Sequence, residues 1–365
     1  MTALDVDARS GSGADHPGVA ARPGFGAGRL LRLMGGVVAD TELDLSGRHV
    51  VTEAATGAYV VTPLLAALGG ADRVTALTRS TRYGSVDEVT ALTLDLARRA
   101  RVADRIEVVT ELTDRHLDSA DVVTNSGHLR PLDARLAARM NPGAVVPLMY
   151  EAWELAARAS DVDVSAMRRR GVEVAGTNER HPHVDVFAYL GMMAVWQLAS
   201  AGIAVYRTRI GVLSDNDFAP YVARGLERGG AEVHVGADLL DLPADVDLDA
   251  IVVSLTPRSS EVLGRAEAQT IAARWPGAVL LQYWGDLDRH SVRSAGLDIW
   301  PARQPAPGHM AVLPSDIGPD AIVRLQCGGL KVAEVLLKPA AMRTPEDLAF
   351  VDLLPPHPPA GRGLR

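Results

Sequence analysis

Residues 202–238 read GIAVYRTRIGVLSDNDFAPYVARGLERGGAEVHVGAD. The apolar run 210–213 has the length and composition of a buried parallel strand. Ser214, Asp215, Asn216 and Asp217 make a turn, and a helical pattern runs from about Phe218 to Arg228. Gly229-Gly230 stops the helix, and 231–235 reads as a second strand. Together these make one βαβ unit. Dinucleotide-binding units carry G-x-G-x-x-G in this turn, because the backbone must bend tightly and approach a pyrophosphate at the helix N-terminus. Here the three glycine places hold Ser214, Asn216 and Ala219, with Asp215 and Asp217 where a phosphate would sit. Each carboxylate–phosphate pair opposes binding by on the order of 4 kcal/mol at an effective dielectric of ~20 and ~4 Å. The helix dipole returns only about 0.3–1 kcal/mol. The turn, with Phe218, is a candidate cofactor contact that is expected not to seat a diphosphate in the usual way.

The rest of the chain repeats this pattern. Strands are predicted at 48–53, 73–78, 106–109, 121–124 and 144–149, with helices at 62–68 and 86–101 between them. A long apolar helix is predicted over 185–200, and further strands at 249–254, 278–282, 296–300 and 310–313. Helices are expected at 260–275 and 322–337. Alternating strands and helices predict an α/β chain of two doubly wound parallel-sheet, Rossmann or flavodoxin-like, domains with an interdomain cleft. Residues 1–28 and the Pro-rich 353–365 read as tails.

Composition narrows the function classes. A chain of 365 residues with 47% hydrophobic content can form two cores. A net charge of -8 disfavours nonspecific nucleic-acid binding. The one cysteine, Cys327, excludes an intrachain disulfide and reads as a buried thiol. No uninterrupted apolar stretch is long enough to span a membrane, and the start lacks the pattern of a secretion signal, so a cytoplasmic location is expected.

Polar loops follow the predicted strands of the first domain, where α/β sheets place ligands. Residues 124–130 hold Asn125, Ser126, His128 and Arg130, which could grip a carboxylate and move a proton; an ordinary polar loop with Ser126 capping a helix is the alternative. Tyr150, Glu151, Trp153 and Glu154 follow another strand, and paired carboxylates beside aromatics can divide acid from base work; a solvated helix start is the alternative. Asn178 and Glu179 lie in a third loop, beside a His181-x-His183 pair that lacks a third metal ligand. Arg79, Ser80 and Thr81 follow the second strand and could hold an adenosine 2′-phosphate, with the one-glycine turn 53–59 as companion. That turn also carries a faint methyltransferase pattern, against which Thr78 stands where an acid for the ribose is wanted.

The order of the pieces resembles the D-isomer-specific 2-hydroxyacid dehydrogenase family. Segments 120–123 with 142–144, 161–178, 275–280, 295–300 and 314–318 are similar, in that order, to family motifs. The resemblance implies a first, substrate-binding domain built from 30–200 and 322–352, and an inserted nucleotide-type domain at 205–318. It also implies a nicotinamide cofactor and a homodimer. Trp284 stands near the family's catalytic Arg and Asp316 at its catalytic His, and no Glu occupies the family's third place, so those two residues are candidate substrate contacts. The expected activity is therefore that of a divergent oxidoreductase, using NAD(P), on a small carboxylated metabolite, in a biosynthetic setting. A lyase, isomerase or condensing enzyme run by His128, Glu151 and Glu179 without a cofactor is one alternative. A non-catalytic ligand-binding protein is the other.

Overall fold

A computed structural model describes residues 22–354. Its strands are β1 His49–Glu53, β2 Arg73–Leu77, β3 Ile106–Val109, β4 Val122–Val123, β5 Val145–Pro147 and β6 Glu173–Thr177. They continue as β7 Arg209–Leu213, β8 Glu232–Gly236, β9 Ala250–Ser254, β10 Val279–Trp284, β11 Ile299–Trp300 and β12 Val351–Asp352. The chain forms two α/β units. One is the continuous stretch Phe187–Ile317; the other runs to Val186 and resumes at Gly318. Each contains one sheet.

The seven-stranded sheet has the order β12-β6-β5-β4-β1-β2-β3, parallel except for β12, which pairs antiparallel with β6. Counted along the chain this is 3-2-1-4-5-6 with an added edge strand, the order of dinucleotide-binding sheets. β1 is buried along its whole length, as both faces of a parallel sheet are covered by helices. Helix Val61–Leu68 is buried at all but one of its residues, and helix Asp320–Leu337 along nearly its full length. In the latter Lys331 is accommodated by Glu334 at 2.8 Å and the carbonyl of Glu42 at 2.9 Å. Its Cys327 is buried, beside the Thr41 hydroxyl at 3.3 Å, and burial pushes the thiol up to about 12.

The five-stranded sheet is wholly parallel, with the order β11-β10-β9-β7-β8. Counted within its unit this is 2-1-3-4-5, the flavodoxin-like order. Helix Ala188–Ser200 belongs to this unit and crosses helix Ala219–Arg228 at Gly191 and Gly225. A Cβ at Gly191 would lie 2.6 Å from the Tyr221 carbonyl, so the crossing needs glycine.

Several expectations need correction. Residues 23–28 are structured, not tail. Pro23–Phe25 forms a 3-10 turn, and helix Ala27–Asp40, absent from the sequence prediction, buries Leu30, Met34 and Val37. The remaining N-terminal residues and the Pro355–Pro359 run lie outside the described residues. Residues 310–313 are not a strand; one backbone bond, from Ala311 to Tyr283, ties them to the sheet. The helix expected over 260–275 begins only at Arg265, after Gly264. The helix expected from 185 begins at Ala188, and Asp185 has a left-handed φ of 45°.

Candidate functional site

Parallel strands place all their C-terminal ends on one edge of a sheet. In the seven-stranded unit that edge gathers residues 78–82, 124–130, 150–154 and 177–180, four loops that the sequence keeps far apart.

The order reverses between β1 and β4. Glu53 ends β1, is 6% exposed, and accepts one hydrogen bond, from the backbone N–H of His128 at 3.1 Å. Burial raises its pKa, against the pull of that bond and of Arg130. Beside it a buried hydroxyl chain crosses the switch: Ser126 Oγ donates to Thr124 Oγ1 at 2.8 Å, and Thr124 meets Thr52 Oγ1 at 2.8 Å. Ser126 thus does not cap a helix through its side chain, the alternative raised by the sequence. His128 is half-buried, and burial followed by the charge of Arg79 lowers its pKa, so it is neutral at pH 7. Arg130 donates to the Asn125 carbonyl at 2.6 Å and pairs with Asp161 at 3.2 Å. It organises the loop, and its guanidinium fork is not left open as a substrate clamp. Asn125 Oδ1 accepts from the Met149 N–H at 2.8 Å, while its Nδ2 is buried without a partner.

The ends of β5 and β6 hold a buried carboxyl cluster. Glu179 has no exposed surface, and neither of its oxygens has a hydrogen-bond partner. Burial, then the charges of Glu154 and Glu151, drive its pKa well above the ordinary glutamate value despite Arg158 and Arg180. Glu154 is equally buried, lies 3.4 Å from Arg158, and is raised by burial to about 7. Glu151 accepts from the Trp153 indole at 2.7 Å and pairs with Arg180 at 3.5 Å; burial raises it too. Trp153 itself is exposed. These glutamates are not a solvated helix start, because a carboxylate at that position would keep its water. Tyr150 is buried under the Arg158 guanidinium, its hydroxyl without a partner. Asn178 serves the fold: its Nδ2 donates to the Ala349 carbonyl and its Oδ1 accepts from the Arg180 N–H.

At the end of β2, the buried Thr78 Oγ1 has no partner. Arg79 is exposed and makes no ion pair or hydrogen bond within the described residues. Ser80 Oγ accepts from the Val86 N–H at 3.3 Å and Thr81 Oγ1 from the Tyr83 N–H at 3.1 Å, so both hydroxyls shape the turn.

The five-stranded unit has its own switch, between β7 and β9, and there the turn closes on itself. Asp215 accepts from the Thr256 N–H at 2.7 Å and pairs with Arg258 at 3.2 Å. Burial works against its charge, yet bonds from Thr256, Asn216 and Arg258 hold its carboxyl below the ordinary value. Asn216 donates to the Ser254 carbonyl at 2.7 Å and accepts the Phe218 N–H at 3.1 Å, occupying a donor that a phosphate would use. Ser214 Oγ bonds Asn216 at 3.3 Å, and Asp217 is exposed. Phe218 stacks on Trp284 at 5.0 Å, and the Trp284 indole donates to the Gly308 carbonyl at 3.1 Å. Both rings are core residues of this unit. Asp316 accepts from the Leu313 N–H at 2.8 Å.

A diphosphate fits the turn 214–219 poorly, because Asn216 takes the Phe218 N–H and Asp215 places a carboxylate there. The other edge fits one better. The helix Val61–Leu68 has no side-chain cap, Gly57 ahead of it takes a left-handed φ of 63°, and Thr78 and Asn125 keep buried unpartnered groups. Sequence reasoning noted Glu53 in a companion turn and Thr78 where a ribose acid is wanted, yet missed both as members of the candidate site. Their one signal was a polar residue at the end of an apolar strand. It also missed Asp352, whose carboxylate accepts from the Ala152 N–H at 2.6 Å across 200 residues. His181 stacks on Phe350 at 3.7 Å, and among the described residues no group of three His, Cys, Asp or Glu could hold a metal. No helix of the described residues is long and apolar enough to cross a membrane.

No family model matches this sequence, and no curated protein matches it. Solved structures do share the fold. A dipicolinate synthase chain from Bacillus halodurans is 13% identical, with a TM-score of 0.50 over 81% of this chain and 100% of that one. A dipicolinate synthase chain from Bacillus subtilis is 13% identical, with a TM-score of 0.50 over 81% of this chain and 97% of that one. The likeness establishes the two-unit α/β fold.

Proposed function

We propose that this protein is an oxidoreductase that interconverts a hydroxyl and a carbonyl on a small carboxylated metabolite with a nicotinamide cofactor. The buried, unpartnered carboxyl of Glu179 carries this reading. A group that must give a proton to a nascent alkoxide, or take one from a hydroxyl, has to be a neutral acid near pH 7. Burial beside two further glutamates produces that acid here. Glu154, raised by burial to about 7, adds its charge to the forces that raise Glu179. Charge on Glu151, which Trp153 and Arg180 brace, raises the pKa of Glu179. The nicotinamide supplies or accepts the hydride when bound. Likeness of fold to the dipicolinate synthase chains supports a small carboxylated substrate by analogy.

One observation favours a second reading, a lyase, isomerase or condensing enzyme using the same carboxyls with neutral His128: the turn 214–219 is closed by its own hydrogen bonds. Nicotinamide fluorescence on mixing NADPH or NADH with the protein separates the two, since binding of neither rejects the oxidoreductase reading. Under either reading we expect a homodimer, the commonest assembly; a mass by light scattering that stays monomeric at all concentrations rejects that.

A further inference from the structure

We propose that the adenosine end of the cofactor binds the seven-stranded unit, with Arg79 on a 2′-phosphate, so that the ligand is NADPH and the nucleotide site lies outside the inserted unit. This rests on the oxidoreductase reading above. It reverses the roles implied by the resemblance, which put the nucleotide on 205–318.

Sheet order is the first ground. The 3-2-1-4-5-6 order belongs to the seven-stranded sheet, and its switch lies between β1 and β4. In that order the dinucleotide crosses the C-terminal ends of β1 and β4, and its ribose and 2′ substituent reach the end of β2. The residue there sets specificity: an acid accepts two ribose hydroxyls, whereas a neutral residue followed by Arg admits a phosphate. Here β2 is followed by Thr78 and then Arg79.

Partner bookkeeping is the second ground. Buried polar side-chain atoms almost always have partners. Thr78 Oγ1 and Asn125 Nδ2, following β2 and β4 on either side of β1, have none among the described residues. Arg79 is exposed and makes no ion pair among the described residues, and its charge reaches His128 across the switch. Polar groups of two loops, Thr78 and Arg79 after β2 and Asn125 after β4, therefore flank the path that the sheet order assigns. At the β7/β9 switch Asp215 and Asn216 take the Thr256 and Phe218 N–H groups, and the Asp215 carboxyl is held below its ordinary value; at the β1/β4 switch Glu53 likewise takes the His128 N–H, but burial pushes it towards the neutral form.

The test uses the full chain with NADPH and NADH as probes, by calorimetry and by hydrogen exchange. NADPH should bind at least about tenfold tighter than NADH, as one charge-assisted contact predicts. Arg79→Ala should remove that preference by weakening NADPH alone, and its exposed position spares the fold. NADPH should protect amides of 54–60 and 78–82 and leave 214–219 unchanged. Protection at 214–219, or NADPH affinity unaltered by Arg79→Ala, overturns this assignment while the oxidoreductase reading stands. Binding of neither nucleotide overturns both.

Discussion

The two sheets use an acid in the same topological place and arrive at opposite results. Glu53 and Asp215 each lie at the end of the first strand of their unit, and each accepts a backbone N–H from the loop across the switch. Asp215 sits at the surface with further donors from Asn216 and Arg258, so its charge is stabilised and its pKa falls. Glu53 is buried with a single donor, so its pKa rises. Solvent and donor number, rather than residue type, decide which acid keeps its charge and which is pushed towards the neutral form.

That contrast extends to the neighbours and can be tested. The largest effect is expected from Glu179→Gln, which keeps the shape of the protonated acid and removes its proton. Turnover should fall by roughly 10²–10⁴, the range of general acid–base catalysis, without loss of thermal stability. Full activity in a steady-state assay would remove the carboxyl cluster from the mechanism.

Next is the pH dependence of stability. Glu154 is raised in the folded state from an ordinary glutamate value to about 7. The fold therefore binds the extra proton, and its stability is full below the unfolded pKa and declines as pH rises towards 7. For this group the decline amounts to about 3 kcal/mol in order of magnitude. Urea unfolding of Glu154→Gln between pH 4.5 and 8 should show a flatter slope than the parent; an equal slope means that the acid is not perturbed.

A smaller loss is expected at Gly127, where a Cβ would run into the Glu53 carboxylate. Gly127→Ala should destabilise by about 1–3 kcal/mol, the cost of forcing atoms into a packed site. Removal of the clash in the pair Glu53→Ala, Gly127→Ala should then recover part of that loss relative to the sum of the single changes. Strict additivity would show that the two positions do not touch.

Asp215→Asn should have the least effect, below about 1 kcal/mol, because its ion pair is partly solvated. Its pKa is lowered, so any contribution is present at neutral pH and disappears as pH falls through the folded value. The double change Asp215→Gly, Asp217→Gly should not improve NADPH affinity. A tenfold gain would show that these acids alone keep a diphosphate out, and would break the contrast between the two switches.

Local pattern was enough for most of the elements and for nominating several candidate site residues. The run 210–213 is strand β7 because a short apolar stretch bounded by polar turn residues has no other stable use in a parallel sheet. Residues 310–313 carry the same signal and are not a strand, because pairing needs a neighbour that the sequence does not reveal. Helix Ala27–Asp40 escaped prediction because its Gly-rich start hides an apolar face of Leu30, Met34 and Val37. Glu151, Glu154 and Glu179 were legible as candidates from their position after strands. Their protonation was not, since it depends on burial and on one another's charge.

From sequence alone came the alternation of strands and helices, the missing glycine fingerprint, and the polar loops after strand ends; these depend on neighbours within a few residues. Only tertiary structure decided which unit has the dinucleotide strand order, because strand order is a matter of long-range pairing. Only it placed Arg79 near His128, closed the turn 214–219 through Thr256, and drew three glutamates from two loops into one buried cluster. Electrostatics at such distances follow burial and position in space, which no local pattern encodes.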